Sequence, residues 1–210
     1  AYTDQDLQNG INSNIVKEIV EKIEKEKASV QKYGGYYIGR YETGNENEIA
    51  VVKSDEEPYT DILWYQAYKL AKGIGGGKNA TTYLCSSYAW DTAINFIQNT
   101  GAVNYAITRE GFNENWYDKE VKDSSGKIIK EKNKEIILKT GKTTAKSNIF
   151  DMGGNVDEYT TEVIPDTSEA IVLRGGIAYN WEFVTPGCRV DAAITRSKNN
   201  TGFRTTLFLD

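Results

Sequence analysis

Residues 149–159 read Ile149-Phe150-Asp151-Met152-Gly153-Gly154-Asn155-Val156-Asp157-Glu158-Tyr159. A short apolar run is followed by a Gly-Gly-Asn break and then by a second extended run. Glycine and asparagine accept the left-handed backbone of tight turns, so the break predicts a turn. The run Val156–Glu162 predicts a strand with polar exposure. Toward the C terminus, Ile171–Arg174 predicts another strand, stopped by Gly175-Gly176, and Gly202-Phe203-Arg204 opens a closing strand that ends at Leu209.

Toward the N terminus the pattern changes to helices. Ile15, Ile19 and Ile23, with Val16 and Val20, recur at helical spacing and predict a helix over about Asn14–Lys32, its Lys/Glu-rich face solvated and Gly34-Gly35 ending it. Tyr36–Glu42 predicts a strand. Asp61 is the expected N-cap of a helix over Ile62–Lys72, with Leu63, Tyr65, Ala67, Leu70 and Ala71 available for burial. Thr81–Cys85 predicts a strand, and Ser86-Ser87 precede a helix over Tyr88–Asn99 that turns Trp90, Ala93, Ile94 and Ile97 inward. Residues 100–147 are polar and irregular, with a hairpin-like turn at Asp123–Gly126. Two or three helices with short antiparallel strands and long loops make an α+β domain. We divide the chain into an N-terminal arm and helix, 1–32, and one domain, 33–210.

Composition narrows the chemistry. The 210 residues carry a net charge of −5, which disfavours nucleic-acid binding because phosphate neutralisation needs a basic face. No apolar run reaches the roughly 18–20 residues that span a bilayer. No signal peptide is expected at Ala1; any targeting segment is absent or removed. Histidine is missing altogether, which excludes Ser-His-Asp and Cys-His catalysis and histidine-ligated zinc. Two cysteines, Cys85 and Cys188, cannot build a four-cysteine metal site. The glycine run Gly73–Lys78 lacks the spacing of a phosphate loop and follows a helix instead of opening one. Tyrosine is in excess, with 14 Tyr beside 4 Trp and 6 Phe, which suits either a core poor in leucine or a recognition surface.

Five segments in register carry a resemblance: Gly34–Glu42, Leu63–Ala67, Ser87–Asp91, the 149–159 run, and the pair Val172-Leu173-Arg174-Gly175-Gly176 with Gly202-Phe203-Arg204. Together they resemble the formylglycine-generating sulfatase-modifying factors, whose domain is a variant of the C-type lectin fold. The 149–159 run is similar to the family's Asp-(Met/Leu)-x-Gly-Asn-Val-Trp-Glu-Trp signature. The resemblance covers about residues 33–210. Catalytic members carry a cysteine pair just after the Gly-Gly, which would fall near Asn180 and Thr185. Neither is cysteine, so the thiolate pair that binds copper in those enzymes has no seat here, and the chain is expected not to be an enzyme. The alternatives are an oxidoreductase relative with an altered site and a structural phage or cell-surface subunit.

The layout between Gly176 and Gly202 resembles the variable region of diversity-generating retroelement proteins, which bind ligands on a C-type lectin scaffold. That resemblance implies a ligand-binding face over about 177–195. Its expected contact residues are Ala178, Tyr179, Asn180, Trp181, Glu182, Phe183 and Val184, then Asp191, Ile194 and Thr195. Aromatic anchors beside adaptable polar groups suit recognition of a protein or cell-surface ligand. The expected setting is a phage particle or cell surface, the assembly a monomer or homo-oligomer. Arg174, Arg189 and Arg204 are expected to pair with acidic groups of the scaffold. No cofactor is required. The resemblance also implies a candidate structural calcium at Asn155, Val156 and Glu158, with Asp157 standing where the family usually has Trp.

Overall fold

The computed structural model describes residues 13–164, 170–179 and 184–210. Helix α1, Ser13–Tyr33, lies on the body through Ile15, Ile19, Lys22, Glu26 and Ser29, one face at spacings of four and three. Two of these five are charged, so Lys22 and Glu26 turn to the body while Lys17, Glu21, Glu24, Lys25 and Lys27 keep the expected exposed face. Lys22 Nζ donates to the Tyr68 hydroxyl at 2.5 Å and sits over its ring. Glu26 accepts from Ser86 Oγ at 2.9 Å. Burial pulls the Lys22 ammonium down to about 8, with Lys72 adding to the effect, and burial pushes the Glu26 carboxyl up to about 7.

Helix α2, Trp64–Gly73, buries Trp64, Ala67, Tyr68 and Ala71. This stripe is rotated from the expected one, leaving Leu63, Tyr65 and Leu70 half-buried. Asp61 is not the cap. It takes a left-handed backbone, φ 59°, and the first turn is closed instead by Gln66, whose side-chain oxygen accepts from the Leu63 amide at 2.7 Å. Helix α3, Ser87–Asn99, starts as expected, its Ser86 cap accepting from the Ala89 amide at 3.2 Å, and buries Trp90, Ala93, Ile94 and Ile97.

The strands are β1 (Tyr37–Ile38), β2 (Gly44–Glu46), β3 (Ile49–Val51), β4 (Glu57–Pro58), β5 (Ala80–Leu84), β6 (Val121–Lys122), β7 (Ile128–Lys130), β8 (Asp157–Val163), β9 (Ala170–Arg174), β10 (Arg189–Ala193), β11 (Thr201–Phe203) and β12 (Thr205–Leu209). They form sheets in the orders β1-β12-β5, β10-β9-β8-β11 and β3-β2-β4, with β6-β7 as a hairpin on the long excursion. All pairings are antiparallel except β11 with β8.

One residue explains two departures from expectation. The closing strand does not run through; it splits at Arg204, with β11 joining β8 and β12 joining β5. The first strand stops at Ile38 instead of reaching Glu42, because the Gly39 carbonyl accepts from Arg204 Nη1 at 2.8 Å and the chain then turns Glu42 into the interior. The expected polar exposure of β8 is also overturned. Asp157 through Thr161 are buried, since β8 lies between β9 and β11 with packed groups on both faces.

The larger core joins α1, α2 and the β8-β9 sheet, with Trp64, Tyr68, Leu84, Tyr159, Leu173, Ile194 and Phe203 among its members. The smaller one lies under α3, around Trp90, Ile94, Tyr105 and Met152. Trp64 also donates its indole N–H to the Thr160 carbonyl at 2.8 Å, so no polar group is stranded by its burial. Among the described residues, no helix is long and apolar enough to cross a membrane.

Candidate functional site

The site is framed by the two glycine turns that flank the middle sheet. Gly154 and Asn155 have φ of 76° and 63°, and Gly175 and Gly176 have 92° and 83°. Gly154 N donates to Gly175 O at 3.1 Å, and Ala178 N donates to Asn155 O at 3.0 Å, which locks one turn onto the other. The long excursion supplies the floor: Asn155 N donates to Asn115 O at 2.9 Å, and Trp116 is fully buried beneath Gly176. A Cβ on Gly176 would sit 2.7 Å from both the Trp116 ring and Val184. We therefore expect Gly176→Ala to cost about 2–3 kcal/mol, from a left-handed backbone and a packed floor together, as measured by denaturant unfolding. A cost under about 0.5 kcal/mol would mean that the floor yields freely.

Three arginines hold this frame, in the role expected of them. Arg174, buried, donates from Nη2 to Asp91 Oδ1 at 2.6 Å, and Arg189 donates to the other oxygen of Asp91 and to Glu162 at 3.1 Å. Asp91 on α3 thus ties together the facing ends of β9 and β10. Arg204, with no exposed surface, donates to both oxygens of Glu158 and to the carbonyls of Gly39, Phe150 and Asp151. Burial raises the Glu158 carboxyl above its usual range, and the adjacent guanidinium pulls it back. Glu42, Asp151 and Glu158 crowd around the one Arg204 charge, and burial followed by the neighbouring carboxylates raises Glu42.

The residues expected at the ligand face separate into three groups. Ala178, Val184 and Ile194 point inward and are buried, so as contact residues they are corrected. Ile194 follows Ala192 on the inner face that β10 sets up, whereas Asp191 and Thr195 lie on the outer one. Asp191 and Thr195 are exposed and Tyr179 is half-buried. Asn180, Trp181, Glu182 and Phe183 lie outside the described residues. We expect Tyr179→Ala, Asp191→Ala and Thr195→Ala each to move stability by no more than about 0.5 kcal/mol, while Ala178→Asp and Ile194→Asp unfold the domain. Thermal melts of the five variants check this division. A large loss at Asp191 or Thr195 would make those side chains structural.

Past the undescribed stretch, the chain is stapled to the 3-10 turn Tyr105–Ile107. Thr185 Oγ1 and Gly187 N both donate to Ala106 O at 2.9 Å. Thr185 lies near one of the two places where the family resemblance implies a catalytic cysteine. Its amide donates to Cys188 Sγ at 3.3 Å, and neither Cys85 nor Cys188 is in a disulfide. Burial raises the Cys85 thiol well above its usual range, which makes it a core residue and a poor nucleophile. The floor residues Glu114, Asn115 and Trp116 and the anchor Ala106 were not legible beforehand. They come from a polar, aperiodic segment, and only a lone Trp in it hinted at burial.

Asn155, Val156 and Glu158 do not fit a calcium ion. Asn155 Oδ1 already accepts from Asn115 Nδ2 at 2.7 Å and from the Leu138 amide at 2.8 Å, and its Nδ2 donates to Glu42. Val156 is buried and gives its amide to Glu42, while both oxygens of Glu158 face a guanidinium. Calcium needs six to eight oxygens. Asn115 Oδ1 is the only orphan oxygen in this group among the described residues. A fixed cation beside Glu158 repels a second one. Asp157, in the family's Trp position, spends Oδ1 on the Gly176 amide at 3.1 Å, and burial raises its carboxyl to about 7.

Comparison with known proteins agrees with this geometry. No curated protein matches the chain significantly. Among solved structures, Treponema denticola variable protein 1 superposes with a TM-score of 0.51 at 16% identity, over 81% of this chain and 84% of that one. PvdO from Pseudomonas aeruginosa gives 0.52 at 15% identity, over 87% and 76%. At these identities the likeness bears on fold alone, which is the α+β, C-type lectin-like fold of the formylglycine-generating type. The sulfatase-modifying factor enzyme 1-like domain matches residues 16–207, nearly the whole length, and the chain belongs to that family.

Proposed function

We propose that this domain is a non-catalytic binding protein that presents the surface after Gly176 to a protein or cell-surface ligand. The observation that carries the reading is the division of labour around that surface. Buried arginines and glycine turns hold its base, while Tyr179, Asp191 and Thr195 reach solvent from that base. Side chains on such a scaffold can change without disturbing the fold, which is what a diversified recognition protein requires. The resemblance would put a catalytic thiol near Thr185, and Cys85 is buried within the core under α3, which supports a non-catalytic reading. The likeness to a variable protein supports the same reading, as does the Arg-Gly-Gly to Gly-Phe-Arg layout. A phage particle or cell surface is the setting we favour.

The test is genetic. The DNA beside the gene should hold a near-copy of the codons for residues 174–204 that differs almost only at adenines, together with a reverse-transcriptase gene. Finding both defines the contact residues directly. Finding neither, together with turnover of a cysteine-containing peptide by the purified chain, would return the domain to the catalytic branch of its family.

A further inference from the structure

Helix α1 carries two seams. The first, Ile15, Ile19, Lys22, Glu26 and Ser29, is spent on the body. One position further round, Val16, Val20, Ile23, Lys27 and Val30 repeat at the same spacing of four and three, which is the heptad repeat of a helix that packs on another helix. This second seam is largely open: Val16, Val20 and Val30 are 42%, 51% and 37% exposed. It borders two adjoining grooves of about 540 and 360 Å³, which share Ile23 and Tyr88. Tyr88, 69% exposed, forms the opposite wall. From Val16 to Val30 the seam runs about 21 Å, at the usual helical rise. Isolated exposed valines need no explanation, but four apolar residues in heptad register along a groove mark an interaction face.

We propose that the occupant is α1 of a second copy, laid antiparallel along this seam about a two-fold axis near Ile23. Among the described residues α1 is the helix that carries the complementary repeat on an open face, so the surface is self-complementary. Charge decides the orientation. In a parallel pair in register, Lys27 meets the partner's Lys27 within the seam. In the antiparallel pair Val16 meets the partner's Val30, and Lys27 meets the partner's Val20. The two ammonium groups then lie about 10 Å apart along the axis, each free to keep its own Glu24 at 2.7 Å. Opposed helix dipoles favour the same arrangement. The larger groove shares Arg189 with the frame of the surface after Gly176, but Tyr179, Asp191 and Thr195 do not line it, so its test does not depend on the binding role proposed above.

Sedimentation velocity of the full chain, from low micromolar to several hundred micromolar, should show a concentration-dependent dimer. Val20→Glu and, separately, Val16→Lys should weaken it at least about tenfold, since each places a charge in the seam. Both positions are exposed, so the melting temperature of the monomer should not change. In a Cys188→Ser background, oxidation should cross-link Ile23→Cys chains across the two-fold axis and should leave Lys27→Cys chains unlinked. A chain that stays monomeric at the highest concentration overturns the proposal, even if an unrelated amphipathic helix enters the groove. Dimers that survive both charge substitutions overturn the assignment to this seam, and cross-linking at 27 in place of 23 overturns the antiparallel arrangement.

Discussion

Replacing Arg204 with methionine is expected to cost about 3–5 kcal/mol, the range for removing one partner of a buried ion pair. For a chain of this size that lowers the melting temperature by about 10 °C or more. The loss has three parts. Glu158 is left with an uncompensated buried charge. The carbonyls of Gly39, Phe150 and Asp151 lose their donor. Glu42 and Asp151 lose the one cation among them. Adding Glu158→Leu should recover only part of the loss, because an apolar pair removes the stranded charge but cannot donate to the three carbonyls. Urea unfolding of the single and double variants measures this. A single-variant cost under about 1 kcal/mol would show that the pair contributes little and that the junction between β11 and β12 is held by packing.

The second large effect is on pH. Burial raises Glu26, Glu114 and Asp157 to about 7, each from an ordinary carboxylate value. A folded pKa above the unfolded one means that folding favours the protonated form. The stabilisation is therefore full below about pH 4 and is lost as pH rises through 7. Each group forfeits about 3–4 kcal/mol across that window, from 1.36 kcal/mol per unit. Lys22, lowered to about 8, acts in a different window: its contribution grows as pH rises from 8 toward 10.5 and does not offset the loss below 8. We expect a melting temperature at pH 5 that exceeds the value at pH 8 by about 10 °C or more. Glu114→Gln should flatten the slope, since an amide can still accept from Tyr105 and has nothing to ionise. A melting temperature that is flat or rises between pH 5 and 8 would show these carboxylates ionised in the folded protein.

Both effects bear on the proposed binding surface. A frame whose charges are buried and shared among several partners resists local opening, so the residues it presents keep their positions. The proposed binding surface and a buried carboxylate that ionises near neutral pH lie on the two sides of the same turn. Asp157 holds Gly176, and Ile177, Ala178 and Tyr179 follow it. Loss of the Asp157 proton near neutral pH therefore places a buried negative charge beneath this turn, met there by the Gly176 amide.

Much of the fold was legible in the residues because local signals and tertiary demands agree. The repeats in α1 and α3, the Ser86 cap and the glycine stops are each readable within a few residues. The five segments that carry the family resemblance are each short and contiguous, and all lie within the match over residues 16–207. What the linear pattern could not supply is the partner of each buried charge. Arg204 reads as a scaffold arginine with some acidic partner, yet only the fold shows that its guanidinium, reaching Glu158 and Gly39 from far along the chain, ends β1 and divides β11 from β12. Asp157 and Glu158 read as exposed polar positions, and burial between two strands made them interior acids. The same limit governs the surface after Gly176. The family resemblance placed ten residues there alike, but the packed fold buries Ala178, Val184 and Ile194 while Asp191 and Thr195 stay exposed. Periodicity reports which residues share a face; only the packed neighbours decide whether that face meets solvent, another strand or an opposite charge.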